Sequence, residues 1–406
     1  MRADKIELAG LWLAIFAQTA SFTVYSPLVP LMKADLGFSY ADFGLLATAF
    51  YIPYTALQVV VGTYAGRGRI RSLMLPGMAT IFVSTVLLGA STSLPEALLL
   101  RFVTGAAGAT IFVPCVMVIA RRYPGRTNYA LGIFGTGVAA GPLYISLIAP
   151  TLGGALGWRL AIVLAMLPAV VVWAVLFLRI SDFQPRSGAG PAPRGSWTTV
   201  LRSRITWLLG YQQLARVGMW ATILTFLPTF FAEGLGYPTS VASAALTVFA
   251  VLAAVSSVLG ARMVVSFKSN AKVTLLSLAV MAASLILIGL VTVGLAPWLL
   301  AGALGIVIFM AFGPQFTIAT DFFPLESLGL AVGVQAVLGN VGATVMPYVF
   351  GGLRDATGGF GSSWEVCGLI CVLAAAVGLA LWRAERGLKQ QVSPVLVTGG
   401  AARATE

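Results

Sequence analysis

Residues 158–179 read WRLAIVLAMLPAVVVWAVLFLR, and no charged side chain lies between Arg159 and Arg179. A helix of this length rises about 30 Å, which is the thickness of the hydrocarbon core of a bilayer. An uninterrupted apolar stretch of this length predicts a transmembrane helix and not the core of a soluble domain.

The rest of the chain repeats this pattern. Of its 406 residues, 59% are hydrophobic and 9% are charged, whereas soluble domains carry about 25% charged residues. By the same length rule we count twelve spans, numbered 1–12 in chain order. They cover residues 8–31, 40–65, 73–93, 96–120, 128–153, 158–179, 205–232, 238–264, 271–294, 296–320, 328–352 and 362–383. The predicted fold is therefore an all-α membrane protein with twelve transmembrane helices.

A polar stretch rich in Pro and Gly divides these spans into two sets of six. It covers residues 181–204 and predicts a flexible cytoplasmic linker. We expect an N-terminal six-helix bundle over residues 1–180 and a C-terminal six-helix bundle over 205–385. Residues 386–406 are expected to form a disordered cytoplasmic tail.

The two sets of spans resemble each other. Residues 36–39, LGFS, are echoed 199 residues later by residues 235–238, LGYP, and the glycines Gly62 and Gly260 begin matching turns. A near-constant offset indicates duplication of a six-helix unit. Parallel repeats of this kind place a substrate site near the bilayer midplane, between the halves.

The basic residues predict the orientation. With the N-terminus inside, 20 of the 25 Lys and Arg residues fall in the cytoplasmic segments. This bias predicts a multi-pass protein of the cytoplasmic (inner) membrane with both termini in the cytoplasm. The net charge of +12 is then a topology signal, so we expect the lipid bilayer as partner, no nucleic acid, and a monomer.

Several kinds of chemistry are excluded by residue types. The chain has no His, and its three Cys lie in apolar stretches, so no metal site is expected. It has no Gly-x4-Gly-Lys-Ser/Thr motif for ATP. We therefore expect neither an enzyme nor a cofactor.

The loop between spans 2 and 3 carries a family resemblance. It reads GTYAGRGRIR over residues 62–71 and resembles the corresponding loop of the major facilitator superfamily, in which a Gly is followed by an Asp and a basic run. Gly62, Arg67 and Arg71 fit this pattern, while Gly66 stands where the family has its Asp. The resemblance implies a two-bundle transporter and extends over nearly the whole chain.

Span 4 contains Arg101-x-x-x-Gly105-x-x-Gly108-Ala109, which is similar to a family pattern whose Arg has been linked to proton transfer. A second interpretation is that the small residues form a packing face and that Arg101 extends to the outer interface. Because Arg101 lies only about five residues into the span, we favour the second interpretation.

Span 5 contains Gly137-x-x-x-Gly141-Pro142, which resembles the core of the family's antiporter motif. The motif continues with a Gly pair, but this chain has Ile145-Ser146 at those places. Helix packing at the two glycines and a kink at Pro142 account for the same residues.

Arg216 is the most informative single residue. It lies about 11 residues into span 7, about 16 Å deep, where an Arg costs several kcal/mol unless it meets a cavity or a partner. No Asp or Glu lies at a comparable depth in the sequence. A guanidinium suits a carboxylate, so we interpret Arg216 as an anion-binding residue; a purely structural role is the alternative.

Other polar side chains are expected to line the same cavity. Gln212 and Trp220 lie four residues either side of Arg216, on its face of the helix. In the family, helices 1, 4, 7 and 10 line the cavity and helices 2, 5, 8 and 11 flank it. That resemblance adds the mid-span residues Gln18, Tyr51, Tyr54, Gln335 and Asn340 as candidate substrate contacts.

These residues favour a secondary transporter that moves a small organic anion of carboxylate type by alternating access. An efflux transporter for drugs or hydrophobic metabolites is the alternative, and a sensor without transport is a third. Since no acid or His lies deep in the membrane, three modes of coupling stay open: uniport, anion exchange, or symport with a proton.

Overall fold

The computed structural model describes residues 2–66, 68–123, 127–180, 182, 197–291, 293–323 and 325–401, and they are nearly all helical. The first half contains α1 (Arg2–Thr23), a 3-10 turn (Ser26–Leu28), α2 (Val29–Leu36), α3 (Tyr40–Gly66), α4 (Arg71–Leu88), α5 (Leu94–Arg122), α6 (Thr127–Met166) and α7 (Pro168–Arg179). The second contains α8 (Trp197–Arg202), α9 (Arg204–Thr229), a π-helical turn (Phe230–Gly234), α10 (Thr239–Phe267), α11 (Asn270–Leu290), α12 (Ala296–Ile308), α13 (Phe312–Phe322), α14 (Leu325–Thr357) and α15 (Gly361–Ala401).

Twelve spans can be traced in these helices. In the described part of the chain, eleven segments are long and apolar enough to cross a bilayer, and one of them, Ile133–Arg179, is 47 residues long. Gly157 breaks it with a non-helical φ of 79°, a value that glycine adopts without steric cost. The break separates the predicted spans 5 and 6.

Spans 1 and 10 each consist of two helices, because proline interrupts them. Pro27 and Pro30 follow α1, and Pro314 lies in the first turn of α13. Each proline lacks an N–H and its ring clashes with the carbonyl four residues earlier, so the helix ends before it. The last carbonyl groups of α1 and α12 have no N–H partner within their own helix, so they accept hydrogen bonds from other donors.

The second half repeats a helix crossing of the first. A Cβ on Gly105 would lie 2.0 Å from the carbonyl oxygen of Phe50, where α5 crosses α3. A Cβ on Gly305 would lie 2.4 Å from the carbonyl oxygen of Phe249, where α12 crosses α10. The same contact therefore recurs 199–200 residues later, at the offset of the sequence repeat.

The end of the chain and the linker differ from their predictions where they can be seen. α15 continues to Ala401, so residues 386–401 are helical, although the sequence predicts a disordered tail there. Most of the predicted linker, residues 181–204, lies outside the described residues. Its last part forms the short helix α8, Trp197–Arg202.

Candidate functional site

A cavity of about 110 Å³ lies between the two halves. Its described lining consists of Ile15, Gln18, Thr19, Phe22, Phe50, Tyr51, Tyr54, Phe112, Val138, Trp220 and Leu224. The first nine belong to α1, α3, α5 and α6, and the last two belong to α9 of the other half. The cavity thus lies where a duplicated transporter places its substrate.

Aromatic rings form one wall of the cavity. Phe22, Phe50, Tyr51 and Tyr54 form one connected cluster, in which the centroids of the contacting rings are 5.1–5.9 Å apart. Trp220 faces them from α9 and is held in turn by Phe309, at 4.9 Å. The surface offered to a substrate is therefore mainly apolar, with a few polar groups at fixed places.

Those polar groups form a chain that crosses between the halves. The Tyr54 hydroxyl lies beside the side-chain amides of Gln18 and Gln58 and interacts with both. Asn340 on α14 donates from Nδ2 to Gln58 Oε1 at 3.2 Å. Three predicted site residues are therefore connected, through Gln58, which the sequence analysis did not select.

Arg101 lies directly behind the aromatic wall. Its side chain is fully buried, and its guanidinium donates to the carbonyl oxygens of Ser21, Phe22 and Leu46 at 3.0–3.3 Å. The ring of Phe50 is 5.0 Å away. The prediction that Arg101 extends to the outer interface is therefore wrong: the open carbonyl groups at the end of α1 attract the cation inward.

Arg216 is also buried, one helical turn from Trp220. It donates from Nε to Gln315 Oε1 at 3.0 Å, from Nη2 to Gln213 Oε1 at 2.8 Å, and from Nη1 to the carbonyl oxygen of Ile308 at 3.4 Å. It is 3% exposed and is absent from the described cavity lining. The described acceptors are neutral, so no carboxylate among them compensates its charge.

The predicted substrate contacts divide into two sets. Gln18, Tyr51, Tyr54 and Trp220 line the cavity. Gln212, Gln335, Asn340 and Arg216 are absent from the described lining. Gln212 instead donates to the carbonyl oxygen of Ala374 on α15, and the side chain of Gln335 is buried without a described partner.

The loop after span 2 shows a structural role for its last arginine, Arg71. Arg71 donates from its guanidinium to the carbonyl oxygen of Ile180, at the end of α7, and its backbone N–H donates to Asp182. Among the described residues, Val113 lies nearest the Cβ position of Gly62, at 3.7 Å. Arg67 lies outside the described residues.

The glycines of span 5 lie against α1. A Cβ on Gly137 would be 2.7 Å from Ile15 Cγ2, and one on Gly141 would be 2.2 Å from Thr19 Oγ1. Pro142 lies inside α6, directly after this contact. These residues therefore hold α6 beside the stretch of α1 that carries Gln18 and Thr19.

The halves are joined mainly at one end, which the sequence assigns to the outside. There the backbone N–H groups of Tyr40 and Ala41 donate to the Asp355 carboxylate, at 3.2 and 2.7 Å. Tyr40 also donates to Glu233, and Arg354 lies over its ring at 4.6 Å. In the described part of the chain, the hydrogen bonds between the halves extend from here to Gln58 and Asn340.

The sequence did not reveal the side chains that hold other site residues in position. Gln213 and Gln315 hold Arg216, and Gln58 links Tyr54 to Asn340. All three are amides deep in apolar spans, which was the available signal. Their pairing could not be predicted, because it depends on how the spans rotate about their axes.

Comparison with known proteins agrees with this architecture. Residues 11–347 match the Major Facilitator Superfamily. The chain is 24% identical over 405 residues to the membrane sensor protein UhpC of Escherichia coli, covering 92% of this chain and 89% of UhpC. It is 23% identical over 382 residues to the probable sulfoacetate transporter SauU of Cupriavidus necator, covering 86% and 87%.

Solved structures show the same fold. A bacterial homolog of the human lysosomal transporter Spinster, in an inward-facing and unoccupied conformation, superposes with a TM-score of 0.77 at 18% identity. The match covers 95% of this chain and 98% of that one. The twelve-helix prediction is thereby confirmed, and the chain belongs to the Major Facilitator Superfamily.

Proposed function

We propose that this protein is a secondary transporter that carries a small organic anion of carboxylate type through the cavity between its halves, by alternating access. The observation that carries the proposal is electrostatic. Two buried guanidiniums, Arg101 and Arg216, lie behind and beside the cavity with neutral acceptors. No acidic side chain is among the described lining residues.

The charges act on the substrate from a short distance. A unit charge about 8 Å from an anion contributes roughly 2 kcal/mol at an effective dielectric constant of about 20. Two such charges favour an anion in the cavity and oppose a cation. The name of the Cupriavidus relative, a probable sulfoacetate transporter, supports the same substrate class.

The contacts between the halves support an alternating-access cycle. They close the end that the sequence assigns to the outside, around Tyr40 and Asp355. Opening that end requires these hydrogen bonds to break while contacts form at the cytoplasmic ends. Since transport requires both states, substrate binding must offset the loss of one set of contacts.

The aromatic wall favours a second candidate, export of hydrophobic compounds. Its rings would accept a flat apolar cation as readily as the methylene groups of an acid. The two buried guanidiniums oppose that cation, which is why we place this function second. A third candidate, a sensor that binds without transport, takes support from the name of the Escherichia coli relative.

The test is uptake by purified protein in proteoliposomes. Labelled mono- and dicarboxylates are supplied with and without a pH gradient, beside a hydrophobic cation such as ethidium. The proposal predicts saturable uptake of one class of acid and none of the cation. Uptake of ethidium alone would instead establish the exporter, and saturable acid binding without uptake would establish the sensor.

A further inference from the structure

The side chain of Gln18 is fixed in place but only partly satisfied. It is 4% exposed, it lines the cavity, and it interacts with the hydroxyl of Tyr54. Its Nε2 lies 3.3 Å from the Cβ position of Gly108, so any larger residue there would crowd the amide. Its other polar atom, Oε1, is buried and meets no described donor.

The neighbouring polar residue, Thr19, already has hydrogen-bond partners within the protein. Thr19 donates its hydroxyl hydrogen to the carbonyl oxygen of Ile15, at 2.9 Å. Thr19 Oγ1 also lies against α6, 2.2 Å from the Cβ position of Gly141. Gln18 Oε1 is therefore the acceptor on the α1 side of the cavity that lacks a described partner, and a ligand with a hydrogen-bond donor would satisfy it.

The charge of the surroundings decides which donor fits. An ammonium group would be opposed by Arg101, whose guanidinium lies behind the Phe22 and Phe50 rings that line the cavity. A hydroxyl group is neutral and meets no such opposition. The cavity of about 110 Å³ is smaller than an engineered cavity of about 150 Å³ that binds benzene, so it suits a compact molecule.

We propose that the substrate is a small hydroxy acid whose hydroxyl group donates to Gln18 Oε1. This inference rests on the proposed anion transport and narrows it to one substrate class. A buried acceptor left unpaired by the wrong ligand discriminates strongly against that ligand. Gln18 is therefore a specificity-determining residue for the hydroxyl group.

The test compares acids that differ by one hydroxyl group. The pairs are glycolate with acetate, lactate with propionate, and malate with succinate, measured as uptake into proteoliposomes. For the pair that is transported, we expect uptake of the hydroxy acid to exceed uptake of the acid without the hydroxyl group by about tenfold or more. In Gln18→Met, the ratio within the pair should fall to near one, because the acceptor is gone.

Two further variants make the result specific to Gln18. Thr85→Val removes another buried, unpartnered oxygen, on α4 outside the described cavity lining, and should keep the wild-type ratio. Gln18→Asn keeps the amide but withdraws it by one methylene, so it should give an intermediate ratio. It replaces Gln18→Met as the test if Gln18→Met does not fold. Ratios within one variant do not depend on its expression level.

Each contrary outcome has a distinct meaning. Equal uptake of both members of a pair by the wild type would overturn this inference and leave anion transport standing. An unchanged uptake ratio in Gln18→Met would overturn it as well. So would a fall of the uptake ratio in Thr85→Val as large as that in Gln18→Met. Uptake of no acid in the panel would overturn the proposed function, and this inference with it.

Discussion

At the scale of single residues, two guanidiniums lie inside the bundle, and each holds the carbonyl end of an interrupted helix. Arg101 on α5 donates to the last turn of α1, and Arg216 on α9 donates to the last residue of α12. A buried Arg costs several kcal/mol in a membrane. Hydrogen bonds to open carbonyl groups, at the negative end of a helix dipole, offset that cost.

For Arg101 we predict a large effect on stability. Arg101→Ala removes three charge-assisted hydrogen bonds and leaves three carbonyl groups buried without this donor, so the free energy of unfolding should fall by at least about 3 kcal/mol. Thermal unfolding in detergent measures it. The control is Arg159→Ala, which removes an exposed ion pair with Asp35 and should change stability far less. Equal losses would show that Arg101 does not hold α1.

For Arg216 we predict an effect of charge on transport. Because its guanidinium does not line the cavity, Arg216 acts on the anion through its charge and not through direct hydrogen bonds from its planar N–H groups. Arg216→Met should weaken apparent anion affinity by roughly 30-fold, the equivalent of about 2 kcal/mol. Arg216→Lys should keep most of the affinity. If both variants lost affinity equally, the residue would be a structural clamp only.

At the scale of helices, glycine sets how closely the spans cross. The Cβ position of Gly105 is 2.0 Å from Phe50 O, while the described residue nearest the Cβ position of Gly62 is Val113, at 3.7 Å. Gly105→Ala must therefore push α5 away from α3, at a cost of about 1–3 kcal/mol or more. Gly62→Ala should be tolerated. The melting temperatures of the two variants test this prediction. Similar melting temperatures would contradict the close approach of α5 and α3 at Gly105.

The same helices show what the sequence can and cannot predict. Span number, the repeat offset and the depth of Arg216 all follow from the spacing of apolar residues and glycine. The inward direction of the Arg101 side chain does not follow from that spacing. It depends on Pro27 ending α1, and on the open end of α1 lying beside α5 in the folded bundle. Likewise, whether Gln18 or Gln212 lines the cavity depends on helix rotation, which periodicity alone leaves undetermined.

At the scale of the whole molecule, the contact of Asp355 with Tyr40 and Ala41 closes one end of the cavity. Asp355→Ala removes both acceptors, so we predict a shift towards the state open at that end. In a protein without its native cysteines, Thr19→Cys reports this state by reaction with an impermeant maleimide added outside. Labelling should rise several-fold with Asp355→Ala.

A matched acid provides the control for this prediction. Asp42 accepts from the backbone and hydroxyl of Ser39 in its own half, so Asp42→Ala should leave the labelling of Thr19→Cys unchanged. If labelling from outside did not differ between the two acid variants, the Asp355 contact would not control closure.

Charge-selective uptake tests the central claim most directly. Wild-type protein in proteoliposomes is offered glycolate and malate, each beside its uncharged amide of nearly the same shape. Because Arg101 and Arg216 lie close to the cavity with neutral described acceptors, we predict saturable uptake of at least one acid and none of its amide. Equal uptake of an acid and its amide, or uptake of the amides alone, would contradict transport of an organic anion.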